Sequence, residues 1–255
     1  MFPARIILIV VAALGVACRS VPPPPIDPTL AACIPDSATI LAGVHLDRVR
    51  NSPLRQQFPP TAAAFLESLG ATRSALIASD GARYLVLAHG DFRVAPAGST
   101  LLARGLAAAG SPDWLHAATV RQAAGRNWLL PHAENIAGAD IWMAAAGNAH
   151  LPVTGNGENL NGLLHATQYT TLTVGLSDPV TLELVANCSG DEPARHLEES
   201  VRALANIGAG VTARQPELSG LLRRIRVTRE GSAVHVTLAV PAEELPAVLK
   251  MFGAG

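Results

Sequence analysis

Between residues 40 and 47 the chain alternates, with Ile40, Ala42, Val44 and Leu46 on one parity and Leu41, Gly43, His45 and Asp47 on the other. A period of two puts successive side chains on opposite faces of a strand, so this stretch predicts a strand with a partly polar second face. Ser52-Pro53 then supplies a cap and a first-turn proline for a helix. Phe58-Pro59-Pro60 interrupts that helix, and Thr61 recaps a second piece carrying Phe65, Leu66 and Leu69. Ser74 to Ala78 and Tyr84 to Ala88 predict two short strands joined through Ser79-Asp80-Gly81, a hairpin turn. Thr100 to Ala109 reads as one extended run, and Ser111-Pro112-Asp113 opens a helix carrying Leu115 and Ala118.

The second half repeats much of this order. Ile141 to Ala146 is a continuous apolar strand, which places it centrally in a sheet. Gly155-Asn156-Gly157 is a loop, followed by a short helix with Leu160, Leu163 and Leu164. Leu172, Val174 and Leu176 alternate with polar or small residues, as do Leu182, Leu184 and Ala186 after Ser177-Asp178-Pro179. Glu192-Pro193 opens the clearest helix, in which Leu197, Val201 and Leu204 form a stripe at helical spacing. Pro216 begins another, with Leu218, Leu221, Leu222 and Ile225. Val234, Val236, Leu238 and Val240 form a last strand, and Leu245, Val248, Leu249 and Phe252 a last amphipathic helix.

Each half therefore holds an apolar strand, a loop with a helix, a hairpin with Ser-Asp in its turn, and a further extended run. The pattern predicts an α+β fold, with antiparallel sheets backed by helices and two duplicated halves, residues 31–130 and 131–255. The folded part resembles uncharacterised secreted α+β repeat domains.

The N-terminus gives an address. Met1 to Arg5 carries one positive charge, and Ile6 to Gly15 is continuously apolar before Val16-Ala17-Cys18. The run is too short for a bilayer span of about 20 residues, and its layout is that of a secretory signal peptide, residues 1–17. Leu14-Gly15-Val16-Ala17-Cys18 resembles the lipobox of bacterial lipoprotein precursors, with Gly15 where Leu is usual. The resemblance implies acylation of Cys18 after cleavage, a membrane partner through that N-terminal lipid, and, with Arg19 next, delivery to the outer membrane facing the periplasm. An ordinary signal peptidase would also accept Gly15 and Ala17 and cut at the same bond. Residues 18–30 include Val21-Pro22-Pro23-Pro24-Pro25, whose prolines favour an extended helix of about 3.1 Å per residue. Such a segment is either a stiff tether or an arm packed along the domain.

Composition removes further classes. The 255 residues are 49% hydrophobic and 15% charged, with net charge −1, so bulk charge does not drive nucleic-acid binding. Lys250 is the single lysine and follows no Gly-rich loop, which excludes a GxxxxGK phosphate loop and an SxxK nucleophile. No cofactor is indicated. With Cys18 committed to lipid, Cys33 and Cys188 remain, either a disulfide pair suited to an oxidising compartment or two separate buried thiols.

His45 and Asp47 share one strand face and His235 lies on another strand, so the three converge only if those strands pair. No HExxH, HxH or CxxC cluster appears, and the sequence points to no metal. His89-Gly90-Asp91 lies at a strand end, and no GxSxG elbow accompanies it. Arg214, Arg223, Arg224, Arg226 and Arg229 form the one dense basic stretch. Arg223 and Arg224 fall off the apolar stripe, where they serve either a solvated helix face or association with an anionic surface or acidic partner. The leading expectation is a non-enzymatic envelope lipoprotein that presents its domain for protein contact or a structural role. The alternative is a secreted enzyme or small-ligand binder whose site is assembled from distant residues, and pocket character separates the two.

Overall fold

The structure, a computed structural model, describes residues 26–58, 63–64, 66–67, 69–91, 93–96, 98–120, 126–150, 158–211 and 216–245. The expected signal segment, Cys18, the proline run, Pro59-Pro60-Thr61, Phe65, Gly155-Asn156-Gly157, Arg214 and the helix expected to end at Phe252 lie outside these residues.

The alternating stretches pair into one sheet rather than several. Its strands are β1 (Ile40–His45), β2 (Thr72–Ser79), β3 (Tyr84–Gly90), β4 (Thr100–Ala103), β5 (Leu106–Gly110), β6 (Ile141–Ala146), β7 (Tyr169–Gly175), β8 (Val180–Asn187), β9 (Arg226–Glu230) and β10 (Ala233–Val240). They lie in the order β4-β5-β3-β2-β1-β6-β7-β8-β10-β9, and every neighbouring pair is antiparallel. The fold is mixed α+β. Counted outward from the central β1–β6 pair, the two halves show the same order, a first strand, a hairpin, then a second hairpin whose later strand lies inside.

The structure departs from the sequence expectation in several stretches. The strand read from Ile40 to Asp47 ends at His45, and Leu46 and Asp47 open a short helix, Leu46–Asn51, so Asp47 does not share a strand face with His45. The run from Thr100 to Ala109 is broken at Gly105, which adopts φ +76° and turns β4 back on β5. A side chain at Gly105 would also meet the Gly90 carbonyl at 2.7 Å, so the turn needs glycine twice over. Arg226–Glu230 is not the continuation of a basic helix but an edge strand, paired with β10 from Arg226 opposite Thr237 to Glu230 opposite Ala233. Its charges suit an exposed edge.

Seven α-helices are described: α1 (Pro28–Ala31), α2 (Leu46–Asn51), α3 (Pro112–Thr119), α4 (Leu130–Glu134), α5 (Glu158–His165), α6 (Asp191–Val211) and α7 (Pro216–Arg224). Among the described residues, no helix is long and apolar enough to cross a membrane.

The ladder register shows where the helices must go. Leu87, Leu76, Gly43, Trp142, Thr173, Glu183, Thr237 and Arg226 form one row across eight strands, so they share one face. That row is apolar or small up to Trp142 and polar from Thr173 onward. The next row, on the opposite face, ends in Met143, Leu172, Leu184, Val236 and Val227. Burial follows the pattern. On the first face α3 and α4 place Trp114, Ala118, Leu130 and Ala133 over Leu41, Leu76, Leu87 and Trp142. On the second face α6 places Leu197 and Val201 over Leu184, Val234 and Val236, while Leu221 of α7 packs with Val180 and Val240. The core thus changes sides of the sheet between β6 and β7.

Asn127 ties the first cover down. It is 2% exposed, its amide donates to the Pro35 and Ala38 carbonyls at 2.9 Å, and its Oδ1 accepts from Leu129 N–H at 2.9 Å. A buried amide with its groups paired fixes the approach to α4.

Candidate functional site: an apolar pocket beneath the long helix

On the second face, α6 does not close fully on the sheet. A cavity of about 340 Å³ remains between them. Its floor is Met143 of β6, Thr170 and Leu172 of β7, Leu184 and Ala186 of β8, and Val234 and Val236 of β10. Leu197 and Val201 of α6 form the roof, and Leu163 and Leu164 of α5 form one wall. The sequence explains the hollow: Ala186, Val234 and Thr170 offer short side chains opposite Leu197 and Val201. Leu172, Leu184 and Val236 consequently stay only half-buried on a face that elsewhere forms core.

The polar atoms of the lining satisfy one another. Thr167 Oγ1 donates to the Leu164 carbonyl at 2.8 Å and lies 3.2 Å from Thr170 Oγ1. Among the described residues no titratable side chain lines the cavity. Its lining can therefore take up hydrocarbon.

The architecture has solved counterparts. Two crystal forms of TP0453 share it. Crystal form III superposes with a TM-score of 0.53 and crystal form I with 0.51, each at 11% identity over 89% of this chain and 98% of that chain. No family model and no curated protein matches the chain. At this identity the likeness concerns the fold alone.

The residues singled out in the sequence scatter. Cys33 and Cys188 are not joined: Cys33 lies in the first-face core under α3, its thiol 3.3 Å from the Thr29 carbonyl, while Cys188 lies in the second-face core at the foot of α6. The change of covered face separates them, and the expected bridge does not form. Burial pushes the Cys188 thiol above its ordinary pKa, which makes it a poor nucleophile. His45 and Asp47 do not meet His235, because β6, β7 and β8 stand between β1 and β10. His45 Nε2 instead lies 2.7 Å from the Ala137 carbonyl, and His235 Nδ1 3.7 Å from Glu183. Among the described residues no group of three or more His, Cys, Asp or Glu gathers at one point.

His89, Gly90 and Asp91 line an open polar hollow with Arg93, Arg104 and Gly105, and Asp91 is paired with Arg73. Trp142 is core, 4% exposed, whereas Trp128 meets His132 edge-on and His132 stacks on Tyr169 at 3.8 Å. Desolvation lowers the His132 pKa, so the ring in this stack favours its neutral form at pH 7. Leu204, expected in the buried stripe of α6, is 49% exposed, and Ile207 is 62% exposed. The helix outruns the sheet after Val201 and packs against α7 instead, with Ser219 Oγ donating to the Ala209 carbonyl at 2.9 Å.

The pocket itself is absent from the sequence reading. Leu163, Leu172, Leu184, Val201 and Val236 were each legible as core residues, and a gap between two apolar faces leaves no mark in a hydrophobic pattern.

Proposed function

We propose that this is a non-enzymatic envelope protein, anchored by lipid at Cys18, whose folded domain holds an apolar ligand between α6 and the sheet. The observation that carries the ligand reading is the pocket lining, in which the polar side chains among the described residues are Thr167 and Thr170, already bonded locally. The volume falls in the range of small-molecule sites, and the lining matches their mostly apolar character. The anchor reading rests on the segment Leu14 to Cys18 and places the domain beside a source of acyl chains.

A hydrocarbon chain entering such a pocket gains about 0.8 kcal/mol per buried methylene, roughly a fourfold rise in affinity for each. Saturated fatty acids of increasing length, displacing a fluorescent fatty acid from the chain beginning at Arg19, should show that increment and then a plateau when the cavity is full. Leu184→Phe, which fills the cavity from the floor, should abolish displacement without lowering thermal stability. Length-independent binding, or unchanged binding by Leu184→Phe, would refute the reading.

A further inference from the structure

A second hollow, on the opposite face from the apolar pocket and independent of it, lies at the corner where α7 runs into β9. It encloses about 780 Å³. Arg223 and Arg224 reach it from the end of α7, Arg226 from the first residue of β9, and Thr181 and Thr237 from β8 and β10. The register sets the spacing. Thr173, Glu183, Thr237 and Arg226 stand side by side in one row, so Arg226 is one strand from Thr237 and two strands, about 10 Å, from Glu183. The β9 ladder stops at the Arg226–Thr237 pair, so Leu238 and Ala239 run on past the end of β9 and the corner stays open.

The three guanidiniums are not equivalent. Arg224 holds Glu244 with two bonds of 2.8 Å, one from each terminal nitrogen. Arg223 and Arg226 have no carboxylate partner among the described residues, although both line the same hollow. The carboxylate of Glu183 also lines it and sits on the far side beside His235, 3.7 Å away. Two unneutralised guanidiniums therefore face threonine hydroxyls on adjacent strands, and every one of these groups can donate a hydrogen bond to an anion. Guanidinium forks match the oxygens of phosphate two at a time, and hydroxyls complete its remaining oxygens.

We propose that this corner binds a phosphate group, held by Arg223 and Arg226 and oriented by Thr237 and Thr181. The site revises the basic pair picked from the sequence: Arg223 acts with Arg226, and Arg224 braces the corner through Glu244. The phosphate comes either from a lipid headgroup or from a free phosphorylated molecule, and the chemistry of the seat is common to both.

The test is calorimetric titration of the full chain, purified in a nonionic detergent, at 0.1 M salt. Inorganic phosphate and glycerol 3-phosphate probe the free source, and detergent micelles doped with dioleoyl phosphatidic acid probe the headgroup. Binding of the soluble probes assigns a free phosphate, and binding of the doped micelles alone assigns a headgroup. In either case Arg223→Gln and Arg226→Gln should each weaken binding about tenfold, the scale of one charge-assisted bond. Glu183→Gln should tighten binding severalfold, a gain that damage to the fold cannot produce. Arg195→Gln, on the exposed side of α6, should change nothing. Absence of binding by every phosphate probe would overturn the proposal. So would wild-type affinity in both arginine variants, failure of Glu183→Gln to tighten binding, or a tetraglutamate peptide binding as tightly as phosphate.

Discussion

The joint between the two halves offers the sharpest test of the packing. Gly43 of β1 stands opposite Trp142 of β6, and the indole occupies the space a Gly43 side chain would need. A Cβ built on Gly43 would fall 2.2 Å from Trp142 Cε2, 2.3 Å from Cζ2 and 2.5 Å from Nε1. Carbon atoms settle at about 3.5–4.0 Å, so Gly43→Ala forces the ring to move by more than 1 Å. The ring is 4% exposed and packed in the first-face core, but a hollow of about 150 Å³ beside it gives some room. Overpacking a core by one methyl group costs about 1–3 kcal/mol. Against this, alanine in ordinary strand geometry recovers about 0.4–1 kcal/mol of unfolded-state entropy.

The expected net loss for Gly43→Ala is therefore about 1–2 kcal/mol, a fall in Tm of roughly 2–8 °C for a domain of this size. Urea denaturation followed by circular dichroism measures it. Gly162→Ala in α5, where an added Cβ meets nothing within 4 Å, serves as the opposite case and should stabilise by up to about 1 kcal/mol. The decisive comparison is the double-mutant cycle with Trp142→Leu. Once the indole is gone, Gly43→Ala should cost nothing further, giving a coupling of at least about 1 kcal/mol. Additive effects, or a Gly43→Ala protein as stable as wild type, would refute the argument that the indole occupies the space above Gly43.

Two further outcomes follow from named groups. Cys18→Ala should release the protein from membranes or leave an unprocessed precursor; a processed variant that still fractionates with membranes would rule out lipidation at Cys18. Asp27 caps α1, accepting from the Thr29 hydroxyl at 2.6 Å and the Thr29 N–H at 2.8 Å, and these bonds, the hydroxyl first, hold its carboxyl below the ordinary pKa against desolvation. A depressed folded pKa adds stability that is present above the unfolded value near 4 and is lost as pH falls through the folded value. Asp27→Asn should therefore remove part of the drop in urea midpoint between pH 5 and pH 2.5, by no more than about 1 kcal/mol for a cap only partly buried.

How much of this was legible in the sequence depends on which physical signal carries each element. β1, β7, β8 and β10 announce themselves by alternation, β6 by an unbroken apolar run, and the turn at Ser79-Asp80-Gly81 by its residues; Gly81 does adopt φ +92°. β9 was hidden because an exposed edge strand of five residues, Arg-Val-Thr-Arg-Glu, buries only Val227 and so carries almost no hydrophobic period. The bridge expected between Cys33 and Cys188 failed for a different reason. Thiol count and compartment constrain chemistry, not distance, and distance here is set by the change of covered face. That change was itself written in the chain. Leu41, Leu76 and Trp142 share a face with Thr173, Glu183 and Thr237, and only the register between strands reveals it. Arg223 and Arg226 are likewise three residues apart across a helix–strand junction, so no helical spacing links them.

The repeated strand order also explains why the apolar pocket sits in one half and not the other. Both halves run through the same sequence of pairings, yet β3 and β4 are joined by residues 91–99, whereas β8 and β9 are joined through α6 and α7. The roof of the pocket, Leu197 and Val201, belongs to that longer connection. So do Arg223 and the Arg224 brace of the phosphate corner. A single departure from the repeat thus furnishes a roof on one face of the sheet and cations at the edge of the other. The strands beneath answer to it, with Leu172, Leu184 and Val236 turned toward the helix and Thr173, Glu183 and Thr237 turned away. Since a one-residue slip in β7, β8 or β10 would exchange those two sets, the register that builds the apolar pocket is the same register that builds the polar corner.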